Sequence, residues 1–278
     1  MSGSVFLVEN VFSTLQFPAH VVSASSAAVD MEAFRVANGR RWRRDRWSPS
    51  VTGDAWIRVL CDQPRYVSML AMDGHNLAGF PVRLEISNTG FGGEAYERPI
   101  DVTVPAVSTP GALEDPAGVL SEDGQWLARL PVGTMAWGFR LFIPAMGGGL
   151  IPEITGLRLG RTWDLVLRKP FREDGSRPVA ESTRSSAGWA GRTQVVPTKE
   201  GQLRVELEGF HEYDEARYFQ SQYELHRPTV FVPDAAQGDR ATIIANQDNG
   251  VIAFGFEPGD TSYRVATIPY EEHEAPLP

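Results

Sequence analysis

Bulky apolar and polar residues alternate over short stretches along most of this chain, which is the pattern of strands that bury one face. The clearest case is residues 82–87, where valine, leucine and isoleucine would face a core and arginine, glutamate and serine would face outward. Turn signals such as Asp73-Gly74 separate the stretches. We therefore predict a mainly β fold made of short antiparallel strands, as in a sandwich or jelly roll.

The pattern predicts strands in two groups, with one helix in the second. The first group comprises residues 5–8, 19–24, 33–36, 56–60, 66–72, 82–87, 101–104, 125–130, 136–143 and 154–159; the second comprises residues 162–167, 203–207, 229–232, 241–245, 251–256 and 262–268. The helix is predicted over residues 213–225, because Asp214 and Glu215 would sit at its positive end and Pro228 would stop it. Residues 169–191 are rich in Ser, Arg, Gly and Pro and predict a linker or a long loop.

Composition and charge support this division. With 278 residues and 42% hydrophobic content, the chain can bury one large β domain or two ordinary ones. Residues 201–278 carry 14 acidic and 5 basic residues, so the whole net charge of −9 arises there, and the first 200 residues balance with 21 of each. We predict a β-sandwich over residues 1–161 and a second, smaller β-rich domain with one helix over residues 162–278.

Several classes of function are disfavoured by what the sequence lacks. The acidic balance repels phosphate, so we expect no nucleic-acid partner. The apolar runs are too short for a membrane span, and the first residues lack a basic segment, so we expect neither membrane insertion nor a secretory signal. The single cysteine, Cys61, excludes an intramolecular disulfide and a cysteine-based zinc site.

Catalytic patterns are absent as well. The sequence has no P-loop, no dinucleotide-binding glycine pattern, no Gly-x-Ser-x-Gly and no His-Glu-x-x-His. The five histidines lack ligand spacing. Residues 211–215 (His-Glu-Tyr-Asp-Glu) could imitate an acid–base or metal cluster, or form a solvated polar face, and Asp73 beside His75 lacks a marked nucleophile. We expect no enzyme activity, no metal and no cofactor, while a sugar-cleaving role through paired carboxylates stays open.

One stretch is rich in contact-forming side chains. Five arginines and two tryptophans fall within eight residues: Arg40, Arg41, Trp42, Arg43, Arg44, Arg46 and Trp47. Arginine forks and tryptophan rings are typical of interface hot spots, so the stretch is a candidate contact for an acidic neighbour, such as the acidic end of another copy. The alternative is that the tryptophans pack inward and the arginines are solvated.

A second stretch, residues 56–77, carries a resemblance to a known family. It contains Trp-Ile-Arg-Val, a Pro-Arg-Tyr-Val step into a further strand, and the turn formed by Gly74, His75 and Asn76, followed by Leu77. Glycine permits the tight turn and asparagine can bond its own backbone. Over about residues 50–160 the chain resembles the discoidin-type, galactose-binding-like sandwiches found in phage tail proteins. Its remainder, with the Arg-Pro-Thr-Val-Phe-Val run at 227–232, is similar in outline to the second part of such proteins.

The resemblance implies a structural protein of the virion, in the tail tip or baseplate and similar to distal tail proteins. Such a protein would be made in the host cytoplasm, form a homo-oligomeric ring around the tail tube, and contact the hub and receptor-binding parts during host attachment. The alternative, from a different class, is a carbohydrate-binding module for host surface glycans, because the sandwich fold permits both roles.

Overall fold

The computed structural model describes residues 4–37, 46–91, 96–108, 110–121, 124–165, 182–184, 190–192, 200–207, 209–223, 229–245, 252–257 and 260–272. They divide into two compact units. Unit 1 comprises Met1–Leu165 and Thr229–Ala241, and unit 2 comprises Val166–Pro228 and Thr242–Pro278. The prediction of a mainly β chain, with an antiparallel sandwich followed by a smaller β-rich part with one helix, is confirmed.

Unit 1 contains ten of the described strands. They are β1 (Ser4–Leu7), β2 (Val21–Ala24), β3 (Ala55–Asp73), β4 (Pro81–Ser87), β5 (Glu97–Thr103), β6 (Val119–Leu120), β7 (Trp126–Ile143), β8 (Gly156–Gly160), β9 (Thr162–Leu165) and β13 (Thr229–Val232). One sheet runs in the order β2-β3-β7-β4-β5, with β6 also paired to β7 and β8 to β3. All of these pairings are antiparallel.

Two long strands, β3 and β7, form the spine of the sandwich. The sequence predicted two strands in each place, but each pair is continuous, and the register breaks between Leu60 and Arg65 and again between Val67 and Met69. The polar residues that suggested a gap lie at these irregularities, where a strand can bend without ending. On one side of the bend β3 pairs with β2, and on the other it pairs with β8.

The core lies between the two halves of this bent sheet. Ile57 and Val59 from the first half of β3 belong to the same buried cluster as Leu70 and Met72 from its second half. On β4, the three predicted inward side chains are all buried. Burying an aliphatic side chain contributes about 1.5–3 kcal/mol, so this shared cluster holds the two layers together.

The strands that precede and follow the sandwich in the sequence pair with each other. Residues 4–7 of β1 lie antiparallel to residues 162–165 of β9, and β1 also pairs with β13. The rings of Phe6 and Phe231 stack at 4.7 Å between centroids, and Phe6 also stacks on Trp163. The predicted domain boundary after residue 161 therefore differs from the structure, because β9 and the distant segment 229–241 join unit 1 through pairing with β1.

One predicted strand is wrong. Residues 33–36 were expected to be extended, but Ala33–Ala37 form a short 3₁₀ helix. Ala33 and Val36, three residues apart, both enter the core, which is the spacing of one turn of such a helix. Two further 3₁₀ helices among the described residues are Gly147–Gly149 and Ala235–Arg240.

Unit 2 contains six described strands and the helix. They are β10 (Ser182–Arg184), β11 (Ala190–Arg192), β12 (Glu200–Leu207), α1 (Gly209–Tyr223), β14 (Thr242–Ala245), β15 (Ala253–Glu257) and β16 (Asp260–Glu272). β16 pairs with β12, β14 and β15, and β10 pairs with β11 inside the predicted linker. Helix α1 begins four residues earlier than predicted, and residues 224–225 lie outside the described residues. Its Tyr223 hydroxyl donates to the Pro269 carbonyl at 2.9 Å.

No α-helix in the described part of the chain combines the length and the apolar character that crossing a bilayer requires.

Candidate functional site

The predicted arginine–tryptophan contact is only partly described. Trp47 is 0% exposed and belongs to the core of unit 1, where its indole N–H donates to the Ser26 carbonyl at 3.0 Å. A backbone bridge to Ile154 fixes it there. The prediction that Trp47 forms an external contact is therefore wrong. Its ring packs into the core because this removes a large apolar surface from water. Arg46 pairs with Glu153 at 3.0 Å. Arg40, Arg41, Trp42, Arg43 and Arg44 lie outside the described residues.

The Gly74-His75-Asn76 turn is held against the segment before β8. Gly74 has φ of +51°, and a Cβ there would lie 2.8 Å from the Thr155 hydroxyl oxygen, so the position requires glycine. The Asn76 side chain donates to the Ile151 carbonyl at 2.9 Å and accepts from the Glu153 N–H at 2.8 Å. The turn thus links the end of β3 to the segment directly before β8. This is a structural role.

The register break in β3 produces a bulge of a different kind. Leu60 pairs with Gly138 and Arg65 with Ala136, so residues 61–64 face a single residue of β7, Trp137. Cys61 turns inward, and burial raises the pKa of its thiol to about 12, which keeps it a neutral core side chain. The next residue, Asp62, points to solvent with its side chain 40% exposed. Bulges often redirect side chains in this way beside functional sites.

An arginine and a histidine side chain converge on Asp62. Its Oδ1 accepts from the Arg65 guanidinium at 2.9 Å and faces the His20 Nε2 at 3.1 Å. The other ring nitrogen of His20 faces the Val11 carbonyl at 2.8 Å, so the ring is held at both of its nitrogens. The hydrogen bond from Arg65, with smaller contributions from charge, lowers the pKa of Asp62 and keeps the carboxylate ionised.

One aromatic ring packs against His20 and Arg65, and two more aromatic side chains are exposed at nearby strand positions. Phe17 stacks on His20 at 4.6 Å, and the Arg65 guanidinium lies 4.2 Å from the Phe17 ring centroid. Tyr66, next to Arg65, is 41% exposed, and Trp137, opposite the bulge, is 44% exposed. We call Phe17, His20, Asp62, Arg65, Tyr66 and Trp137 the Asp62 site. It combines fixed polar groups with exposed rings at one bulge.

No pattern in the sequence predicts this site. His20, Asp62 and Arg65 are separated by turns and strand residues, and no pattern joins them. Tyr66 and Trp137 read as ordinary alternating strand positions. The three-residue excess in β3, which appears only when both strands are paired, is the feature that creates the site. Within the described ranges, no group of three or more His, Cys, Asp or Glu side chains is arranged to hold a metal ion.

Comparisons with known proteins give structural neighbours alone, since no family model and no curated protein matches the chain. A chitosan-binding module of a chitosanase/glucanase from Paenibacillus sp. IK-5 shares 14% identity over 55% of this chain and 99% of the module, with a TM-score of 0.40. The family 32 module of Clostridium perfringens NanJ, solved with galactose, shares 13% identity over 58% of this chain and 99% of the module, also at 0.40. Both are carbohydrate-binding modules.

At these identities and TM-scores the likeness identifies no ligand of this chain. The neighbours agree with the galactose-binding-like part of the predicted resemblance. The phage tail-tip part finds no support in them.

Proposed function

We propose that unit 1 binds carbohydrate at the Asp62 site. The observation that carries this proposal is the bulge itself, which presents an anchored carboxylate–guanidinium pair packed on Phe17, at a point of the sheet where Tyr66 and Trp137 are also exposed. Small-ligand sites commonly combine rings with a few polar groups of fixed direction. Exposed side chains of this kind suit a weakly held sugar better than a deeply enclosed substrate.

The polar groups match the hydroxyl groups of a sugar. Oδ1 of Asp62 is used by Arg65 and His20, while Oδ2 has no hydrogen-bond partner among the described residues and can accept from a ligand hydroxyl. Because Asp62 is already held by two neighbours, a sugar would bind without ordering it first, and this lowers the entropic cost. Tyr66 and Trp137 offer rings against which the C–H face of a pyranose can pack.

We propose further that the chain binds without catalysing a reaction. The lowered pKa of Asp62 makes it a poor proton donor at neutral pH, and the raised pKa of Cys61 makes it a poor nucleophile. The place of the protein in a phage tail, with hub, tail-tube and ring partners, stays a prediction from the sequence resemblance.

The test is binding of neutral oligosaccharides containing galactose, measured by isothermal titration calorimetry with the full chain. Trp137→Ala and Asp62→Asn should each weaken binding by about tenfold or more, as expected for hot-spot residues. Phe34→Ala is the matched control, because Phe34 is also an exposed ring, 46% accessible, but lies in the Ala33–Ala37 helix. Equal affinity of all variants would contradict the site.

The scaffold alternative predicts a different result. A purified chain that forms a ring in mass measurements and binds no glycan would favour the structural virion role. A chain that remains monomeric and binds glycan through Trp137 would favour the module.

A further inference from the structure

Three charged side chains form a row across neighbouring strands on the outer face of the sandwich. Arg58 of β3 is the direct partner of Arg140 of β7, and Arg140 is the direct partner of Glu85 of β4. We call these three residues the arginine row. Like charges directly opposite each other destabilise a sheet, so two adjacent arginines require anionic partners.

Glu85 neutralises the charge of its neighbour in the row, Arg140. Its side chain is 3% exposed, and its Oε2 accepts from Nε of Arg140 at 2.6 Å. Its other oxygen lies 3.5 Å from Nε of Arg98 on β5. One buried carboxylate therefore serves two cations, neither of which is Arg58. Three arginines with one carboxylate leave this face positive in a chain whose net charge is −9.

In the part of the chain that the structure describes, Arg58 is held by a hydroxyl group and two rings and by no carboxylate. Its Nε donates to the Ser23 hydroxyl at 3.1 Å, and its guanidinium carbon lies 5.0 Å from the Trp56 ring centroid and 6.0 Å from that of Phe91. Its two terminal nitrogens have no hydrogen-bond partner among the described residues, and the side chain is half-buried. The planar group is oriented by its neighbours while the pair of N–H groups that recognises carboxylates is left available.

The position of the Phe91 ring beside Arg58 is set by its backbone conformation and by its packing on Gly138. It has φ of +65°, which is unusual for a residue with a side chain, and its N–H donates to the Ser87 hydroxyl at 2.8 Å. Its ring covers Gly138, where an added Cβ would lie 2.8 Å from Cε2. The strained backbone and the glycine together place the ring beside both arginines, 5.0 Å from the Arg140 guanidinium carbon.

We propose that Arg58 is a second ligand-binding position, which takes the carboxylate of an acidic saccharide. Both carboxylate oxygens would accept from the terminal nitrogens of Arg58, and the sugar ring would lie against Trp56 or Phe91. We infer a carboxylate because the terminal nitrogens of Arg58 have no hydrogen-bond partner among the described residues and the face around them is positive. The choice of a saccharide rests on the proposed carbohydrate-binding function. Because this position is carried by different residues from the Asp62 site, the two can be tested separately.

The experiment compares trigalacturonate with its methyl ester, which has the same sugars without the charge, by calorimetry with the full chain. Wild type should bind the acid at least about tenfold more tightly than the ester, since charge-assisted hydrogen bonds are among the stronger ones. Arg58→Gln should reduce acid binding to the level of the ester, and Arg58→Lys, which keeps the charge but loses the fork, should give an intermediate loss. Arg129→Gln is the charge-matched control, because Arg129 is paired with Asp164 at 2.7 Å.

Three results would overturn the proposal: equal binding of acid and ester, equal losses in Arg58→Gln and Arg129→Gln, or displacement of the saccharide by hexaglutamate at similar concentration. The last would assign the position to an acidic polypeptide instead. Melting temperatures of the variants distinguish loss of the site from loss of the fold. Retained acid binding in Trp137→Ala, together with lost binding of neutral sugar, would show the two positions to be independent.

Discussion

Arg158 of β8 and Asp73 of β3 form an ion pair inside the sandwich, with their side chains 4% and 3% exposed. The Arg158 Nη1 donates to Asp73 Oδ2, while its Nη2 is buried without a hydrogen-bond partner among the described residues. Gly156 lies directly opposite Asp73, and a Cβ there would approach Oδ2 to 2.5 Å. Position 156 of β8 therefore has room only for glycine, because the Asp73 carboxylate occupies the space of a side chain.

Removing one partner of this pair should be costly. Asp73→Ala leaves a buried guanidinium without its counter-charge, and we expect a loss of about 3–5 kcal/mol in the free energy of unfolding, measured in urea. The double variant Asp73→Ala/Arg158→Met removes both charges and should be more stable than the single variant. A single-variant loss below about 1 kcal/mol would contradict the buried pairing.

His75 should make stability depend on pH. Burial lowers its pKa to about 4, while the nearby Asp73 carboxylate acts in the opposite direction. Its Nδ1 accepts from the Leu77 N–H at 3.2 Å, which requires the neutral ring, and its Nε2 is buried without a partner among the described residues. An unfolded histidine has a pKa near 6.5, so below this pH the unfolded chain binds the proton first. Stability is fully present above about pH 6.5 and is lost as the pH falls toward 4.

The contribution is on the order of 2–3 kcal/mol, and it is measured as the difference in urea unfolding between pH 7 and pH 4.5. His75→Asn keeps an oxygen that can accept from Leu77 but does not titrate, so it should lose less stability over this range. Equal losses in both proteins would exclude His75 as the source.

Two tryptophans should respond in opposite ways to truncation. Trp47→Ala removes a fully buried ring and should cost about 3–5 kcal/mol of unfolding free energy. Trp137→Ala removes an exposed ring and should change stability by about 0.5 kcal/mol or less while weakening sugar binding. Thermal unfolding monitored by circular dichroism separates the two effects. A large stability loss in Trp137→Ala would place this ring in the core.

Gly138→Ala tests the packing of Phe91. The added methyl group would lie 2.8 Å from Phe91 and 3.1 Å from Leu60, and overpacking of this kind costs about 1–3 kcal/mol. It should also displace Phe91 and weaken carboxylate binding at Arg58. Gly147→Ala is the matched control, since its Cβ would meet nothing within 4 Å and its φ is ordinary. Equal urea midpoints for the two variants would show that Phe91 does not pack on Gly138.

The alternating pattern was sufficient to predict most strands, because the polarity of each strand residue indicates whether its side chain faces the core or the solvent. Residues 82–87 became β4, with the predicted apolar face in the core. The pattern did not reveal that β3 and β7 are continuous, since a bulge looks like a gap between strands. It also assigned Glu85 to an open polar face, whereas pairing with Arg140 buries it.

By itself, the sequence determined the fold class, the dominance of antiparallel strands and the turn at Gly74, because these depend on local alternation and on backbone freedom at single positions. Only the tertiary structure decided that Trp47 is core, that Asp62 meets His20 and Arg65, and that Arg58 stands beside Arg140 with no carboxylate partner among the described residues. These contacts join residues far apart in the sequence, with 82 positions between Arg58 and Arg140 and 107 between Trp47 and Ile154, and they depend on strand register. A shift of one residue would turn each side chain to the opposite face.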